Sequence, residues 1–136
     1  MKIAVIDGQG GGIGKAIIEK LSKVIDNDVE IIALGTNSAA TTGMIKAGAK
    51  TGATGENAIK VTSKKVDVIV GPIAIMVVDS MMGEITSIIA NSVSTSDAIK
   101  ILVPLNRCNM IVAGIRDKKL NELIEATINE ILDYLK

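Results

Sequence analysis

The chain has 136 residues, with no histidine, tryptophan or phenylalanine; Tyr134 is its only aromatic residue and Cys108 its only cysteine. Without histidine there is no His-based general base, no His-containing catalytic triad and no zinc site of the usual ligand sets. One cysteine cannot close an intrachain disulfide, which suits a reducing cytoplasm. With one aromatic ring there is no platform on which unpaired bases could stack. Fifteen basic residues balance fifteen acidic ones, and no basic run occurs, so a duplex-binding surface is not indicated either. The longest apolar run, Ile73 to Val78, is too short to cross a bilayer. The N-terminus runs straight into an apolar segment with no basic region or cleavage site of a signal peptide. These absences predict a cytoplasmic protein with neither nucleic acid nor membrane as partner.

What is present is a glycine loop. The apolar run Ile3-Ala4-Val5-Ile6 leads into Asp7-Gly8-Gln9-Gly10-Gly11-Gly12-Ile13-Gly14-Lys15, and Ile13, Ile17, Leu21 and Val24 then fall at helical spacing. Strand, glycine loop and helix in that order form an arrangement that binds phosphate. Glycine lets the backbone approach an anion, and the unpaired N–H groups of the first helical turn point at it.

Three motif readings compete. The dinucleotide pattern G-x-G-x-x-G fails, because its third glycine falls at Ile13 or Lys15. The spacing G-x-x-x-G-x-G fits through Gly8, Gly12 and Gly14 and resembles the loop of short-chain dehydrogenases. That family's Tyr-x-x-x-Lys pair has no counterpart, since Tyr134 lies two residues from the end. Gly11-Gly12-Ile13-Gly14-Lys15 resembles the variant P-loop of ParA and MinD ATPases, but Ala16 stands where a hydroxyl would hold Mg²⁺. The bland alternative is a turn that serves only the packing of helix on strand. Gly8, Gly10, Gly11, Gly12 and Gly14 are more glycines than packing needs, since each costs backbone entropy.

Along the chain, strands are expected over 2–6, 30–34, 66–70 and 99–103, with a short one near 49–51. Helices are expected over 13–25, 38–46, 56–63, 86–92 and 117–135. Ile73 to Val78 reads as a buried helix or a strand. Alternation of the two predicts a three-layer, Rossmann-like α/β domain with a mostly parallel sheet, in a single unit over 1–136. The order 3-2-1-4 is preferred over 2-1-3-4. The short stretch Pro104–Asn109 separates Ile99–Val103 from the apolar run Met110–Ile115. A parallel crossover needs about a dozen residues or more, so an antiparallel edge hairpin is expected here.

Ligands of such folds sit beyond the carboxyl ends of the strands. The glycine loop, Gly35-Thr36-Asn37, Gly71-Pro72 and 104–109 should therefore share one sheet edge. The candidate ligand-binding residues are Gly8, Gln9, Gly10, Gly11, Gly12, Ile13, Gly14, Thr36, Asn37, Asn106 and Arg107. Arg107 would clamp a phosphate or carboxylate, and Asn106 would bond a sugar or base edge; otherwise they only shape a turn. Strand two ends without the acid that grips ribose in NAD-binding folds. NAD(P) or another nucleotide is the candidate cofactor, and a non-nucleotide phosphate ligand remains open. Asp7 is expected to cap loop amides rather than bind Mg²⁺ or ribose. Cys108 is expected to be a small buried hydrophobe rather than a nucleophile. The stretch Gly52 to Asn57 reads equally as a connector or as a second ligand-facing loop. A mean hydropathy of +0.42, with the apolar stretch Ile73–Val78, Met81 and Met82, predicts a homo-oligomer, most simply a homodimer.

Taken together, Lys2–Lys15, Ala33–Asn37, Gly52–Ala58 and Pro104–Asn109 resemble a short bacterial family of unknown function that carries a Rossmann-like glycine loop. The resemblance covers almost the whole chain and implies a stand-alone domain with no assigned activity. The function expected is binding of a nucleotide or other phosphate-bearing ligand at the glycine loop, with catalysis left open. The alternatives are a deviant P-loop-like hydrolase and an oligomeric scaffold without ligand.

Overall fold

A computed structural model describes residues Met1 to Lys136. Strand β1 (Lys2–Asp7) leads through helix α1 (Gly12–Leu21) to β2 (Glu30–Gly35), and α2 (Ser38–Ala47) leads on to β3 (Thr51–Thr54). Helix α3 (Glu56–Thr62) then crosses to β4 (Val68–Pro72), which is followed by a single 3-10 turn (Ile73–Met76). Helix α4 (Ser87–Ser94), β5 (Ile99–Val103) and α5 (Leu120–Leu135) complete the chain.

The five strands lie in the order β3-β2-β1-β4-β5, and every neighbouring pair is parallel. Central strands of such a sheet are covered on both faces and read as continuous aliphatic runs. Ile3, Ala4, Val5 and Ile6 are accordingly all fully buried. Alternate side chains feed two cores. Ile3 and Val5 join Ile17, Ile18 and Leu21 of α1, Met44 of α2 and Ile124, Ile128 and Ile131 of α5. Ala4 and Ile6 join Ile59 of α3 with Ile85, Ile89 and Val93 around α4. Helices α1, α2 and α5 thus cover one face and α3 and α4 the other. Burial of each large aliphatic side chain contributes roughly 1.5–3 kcal/mol.

The preferred strand order 3-2-1-4 is present, and β5 extends it in parallel. The expected antiparallel hairpin is absent: residues 110–115 form no strand, and β5 pairs only with β4. The physical reason lies in the backbone of that stretch. Cys108 and Asn109 are left-handed at φ 55 and 58, and Gly114 turns again at φ 92, so the run cannot stay extended. Leu105 and Ile115 instead pack against the core under α1 and α5, and the stretch spans from β5 to α5. Ile73–Val78 is neither regular helix nor strand. Ile75 plugs the core at 0% exposure, and the 3-10 turn follows Pro72, whose φ of −65 ends the strand.

In this order the chain leaves β1 to one side through α1 and reaches β4 on the other. The junction between β1 and β4 is the topological switch point, where such sheets open a crevice beyond their carboxyl ends.

Candidate functional site

The glycine loop is held from beneath by Asp7, the last residue of β1. Its carboxylate accepts the Gly8 N–H on one oxygen and the Gly14 N–H on the other, both at 2.8 Å. With 4% exposure, Asp7 has its pKa raised by burial, against the opposing pull of the Gly14, Gly8 and Ile13 amides, and the charge of Glu84 raises it further. Its role is to close the loop, as the sequence suggested.

The glycines divide into two groups. A Cβ on Gly8 would lie 2.6 Å from Thr36 Oγ1, one on Gly11 3.0 Å from Ala40 Cα, and one on Gly14 2.6 Å from Met44 Sδ. Gly11 also sits at φ 70, and its N–H donates to Gly8 O at 2.8 Å. These three glycines are required by packing and turn geometry. At Gly10 and Gly12 a Cβ would meet nothing within 4 Å. Neither has a positive φ, and no acceptor within the chain takes the N–H of either. The chain's own packing therefore gives no reason for glycine at these two positions.

The loop opens onto a cleft of about 590 Å³. Residues 7–13 form one wall, Pro72 at the end of β4 and Ala74 just after it the floor, and Leu105, Arg107 and Cys108 beyond β5 the far side, with Met81, Met82 and Leu120 at the rim. Arg107 is the one cation among the lining residues. Cys108, expected to be buried, is exposed here, because the left-handed turn at 108–109 carries it out of the core. A groove of about 640 Å³ lies elsewhere, lined by Lys60, Met76, Val78 and the face of α4. It lies away from the strand ends and receives no loop amides, so the switch-point cleft is the candidate site.

Of the residues proposed from sequence, Gly8, Gln9, Gly10, Gly11, Gly12, Ile13 and Arg107 line this cleft, whereas Gly14, Thr36, Asn37 and Asn106 do not. Gly14 serves the Asp7 closure. Asn106 turns away, and its Oδ1 accepts the Val112 N–H at 2.7 Å. Thr36 and Asn37 instead donate to Glu84 Oε1 at 2.6 and 2.9 Å. The Gln9 N–H donates to that same oxygen at 2.8 Å, while Gln9 O accepts from Asn37 Nδ2 at 2.9 Å. These donors hold the Glu84 carboxyl below its usual pKa, the Thr36 hydroxyl most of all and the Gln9 amide next. Glu84 was missed because it follows a turn at Met82-Gly83 and carries no local signature. Its partners lie 48 and 75 residues away. In the Gly52–Asn57 stretch, Thr54 Oγ1 pairs with Thr41 Oγ1 at 2.7 Å, and none of these residues reaches the cleft. Lys15 runs beside α2, its Cδ 3.9 Å from the Cβ position of Gly43, and takes no part in the lining.

No helix is long and apolar enough to cross a membrane. No curated protein matches the chain in sequence. Among solved structures, a dodecameric FMN-dependent UbiX-like decarboxylase from Escherichia coli O157:H7 is similar at TM-score 0.53 and 15% identity, over 99% of this chain and 94% of that one. At that identity the likeness is one of fold. It agrees with the Rossmann-like architecture traced above. The family model described as domain of unknown function DUF3842 matches residues 2–136, and the chain belongs to that family.

Proposed function

We propose that the switch-point cleft binds a phosphate-bearing small molecule, foremost a nucleotide, with its phosphate on the N–H groups of Gly10 and Gly12. The observation that carries this reading is the pair of glycines whose amides have no partner and whose Cβ positions are empty. They adjoin the first turn of α1, where the helix dipole favours an anion. Arg107 faces them from beyond β5 and supplies the complementary charge. A cleft of about 590 Å³ falls within the roughly 300–1,000 Å³ of small-molecule sites.

NAD(P), FMN and other nucleotides are the ligands to try. FMN leads because the similar fold belongs to an FMN-dependent enzyme. A P-loop-like hydrolase is disfavoured, because Lys15 lies along α2 and Ala16 lacks the hydroxyl for Mg²⁺. A homo-oligomer, most simply a homodimer in the cytoplasm, fits the exposure of Met82 and Val78 at 96% and 51%. Isothermal titration with FMN, NADP⁺ and inorganic phosphate tests the reading. Binding should be present in the wild type and lost in Gly12→Val, whose side chain enters open space and leaves the fold intact. Equal affinity in a folded Gly12→Val would remove the loop from the site.

A further inference from the structure

Resting on the phosphate reading, we infer that the segment Val77 to Glu84 is a fixed strap that closes the β2 half of the switch-point crevice, so that the site takes a mononucleotide and excludes a dinucleotide. A dinucleotide in this kind of fold extends from the glycine loop both ways, and its second ribose is gripped beyond the end of β2. Here the donors at that place are already taken. Thr36 Oγ1, Asn37 Nδ2 and the Gln9 N–H all converge on Glu84 Oε1 at 2.6, 2.9 and 2.8 Å. Met81 fills the space beside them, its Sδ 2.7 Å from the Cβ position of Gly8. The open cleft is correspondingly one-sided. Its lining comes from the glycine loop, the strap, the ends of β4 and β5 with the residues just after them, and Leu120 at the start of α5, and nothing from β2 or β3 contributes.

The strap is built into the fold. The buried Ser80 Oγ donates to Ala74 O at 2.6 Å, the Asp79 N–H donates to Ile85 O at 2.7 Å, and Ile85 is wholly buried. Asp79, Met81 and Met82 hold left-handed φ values of 65, 55 and 55. Non-glycine residues adopt that region only when their surroundings enforce it, so the path over the glycine loop is imposed by these anchors.

Two matched pairs of probes test the inference: FMN against FAD, and nicotinamide mononucleotide against NAD⁺. The wild type should bind the mononucleotide of the recognised pair at least about tenfold more tightly than its dinucleotide. Glu84→Ala releases the Thr36, Asn37 and Gln9 donors at the end of β2 and should bring that ratio to within about threefold, chiefly by a gain in dinucleotide affinity. Glu84→Gln keeps an acceptor oxygen and should retain most of the preference. Should Glu84→Ala fail to fold, Met81→Gly opens the wall beside Gly8, relieves the left-handed strain and should narrow the ratio in the same way. Dinucleotide binding by the wild type as tight as mononucleotide binding overturns this inference alone, and so does a folded strap variant with an unchanged ratio. If no member of either pair binds, the inference falls, and the phosphate reading falls with it when inorganic phosphate also leaves the loop unbound.

Discussion

Replacing Gly12 by alanine should make the protein more stable and a poorer binder at once. Gly12 is the first residue of α1, its φ is not positive, and a Cβ there would meet no atom within 4 Å. Alanine at such a position lowers the entropy of the unfolded chain without strain in the folded one, a gain of about 0.4–1 kcal/mol. For a domain of this size that raises the melting temperature by roughly 1–4 °C. The same methyl group intrudes where the phosphate should approach the Gly12 amide. Hydrogen bonds to a charged group contribute about 1.5–3 kcal/mol, so their loss weakens binding by roughly ten- to a hundredfold. Thermal unfolding and calorimetric titration of one preparation measure both quantities. A stabilised Gly12→Ala with undiminished affinity would refute the assignment of this glycine to the ligand. A destabilised variant would refute the claim that the position is open.

Arg107→Ala should weaken binding of an anionic ligand more in low salt than in high salt, because Arg107 is an exposed charge on the cleft wall; titrations at two ionic strengths read the difference. Asn106→Ala should lower stability by about 1 kcal/mol through loss of its bond to the Val112 N–H, with affinity unchanged in the same titrations. Glu84 and Asp7 should give pH dependences of opposite sign. The Glu84 pKa is lowered from its ordinary 4.5, so its contribution is present above that value and is lost as pH falls through the folded pKa. The Asp7 pKa is raised from 3.8, so its contribution is full below that value and is lost as pH rises through the folded pKa. Urea midpoints from pH 3 to 7 should therefore fall less steeply in acid for Glu84→Gln than for the wild type. Light scattering at micromolar concentration should show a species larger than 14.2 kDa, and Met82→Lys should shift it towards the monomer.

The parts of the fold legible in the sequence are those that local patterns determine. Ile3 to Ile6 and the helical spacing of Ile17 and Leu21 declared β1 and α1, and Leu120 to Leu135 declared α5. Alternation gave a parallel sheet but not its strand order: 3-2-1-4 and 2-1-3-4 both satisfy it, and the pairing of β1 with β4 is what decides between them. The hairpin misled because Met110–Ile115 has the composition of a strand, while the left-handed turn at Cys108-Asn109 is set by packing and leaves little trace in residue type. For the site, the glycine loop and Arg107 were visible as motif and charge. What the sequence did not separate is which glycines serve the chain's own packing: Met44 and Ala40 of α2 and Thr36 of the β2–α2 turn account for Gly14, Gly11 and Gly8. Asn37 and Thr36 were chosen as ligand groups because they end a strand. The carboxylate that occupies them comes from Glu84, a pairing across the fold that no local spacing encodes.

The central claim is that an anion rests on the two unpartnered amides of the loop, and amide chemical shifts followed by NMR during titration with FMN and with inorganic phosphate test it most directly. The N–H groups of Gly8, Gly11 and Gly14 already donate to Asp7, to Gly8 O and to Asp7 respectively. The account predicts that Gly10 and Gly12 move downfield and saturate together while those three change little. Binding that leaves Gly10 and Gly12 unmoved, or perturbs only residues outside the loop, would contradict it.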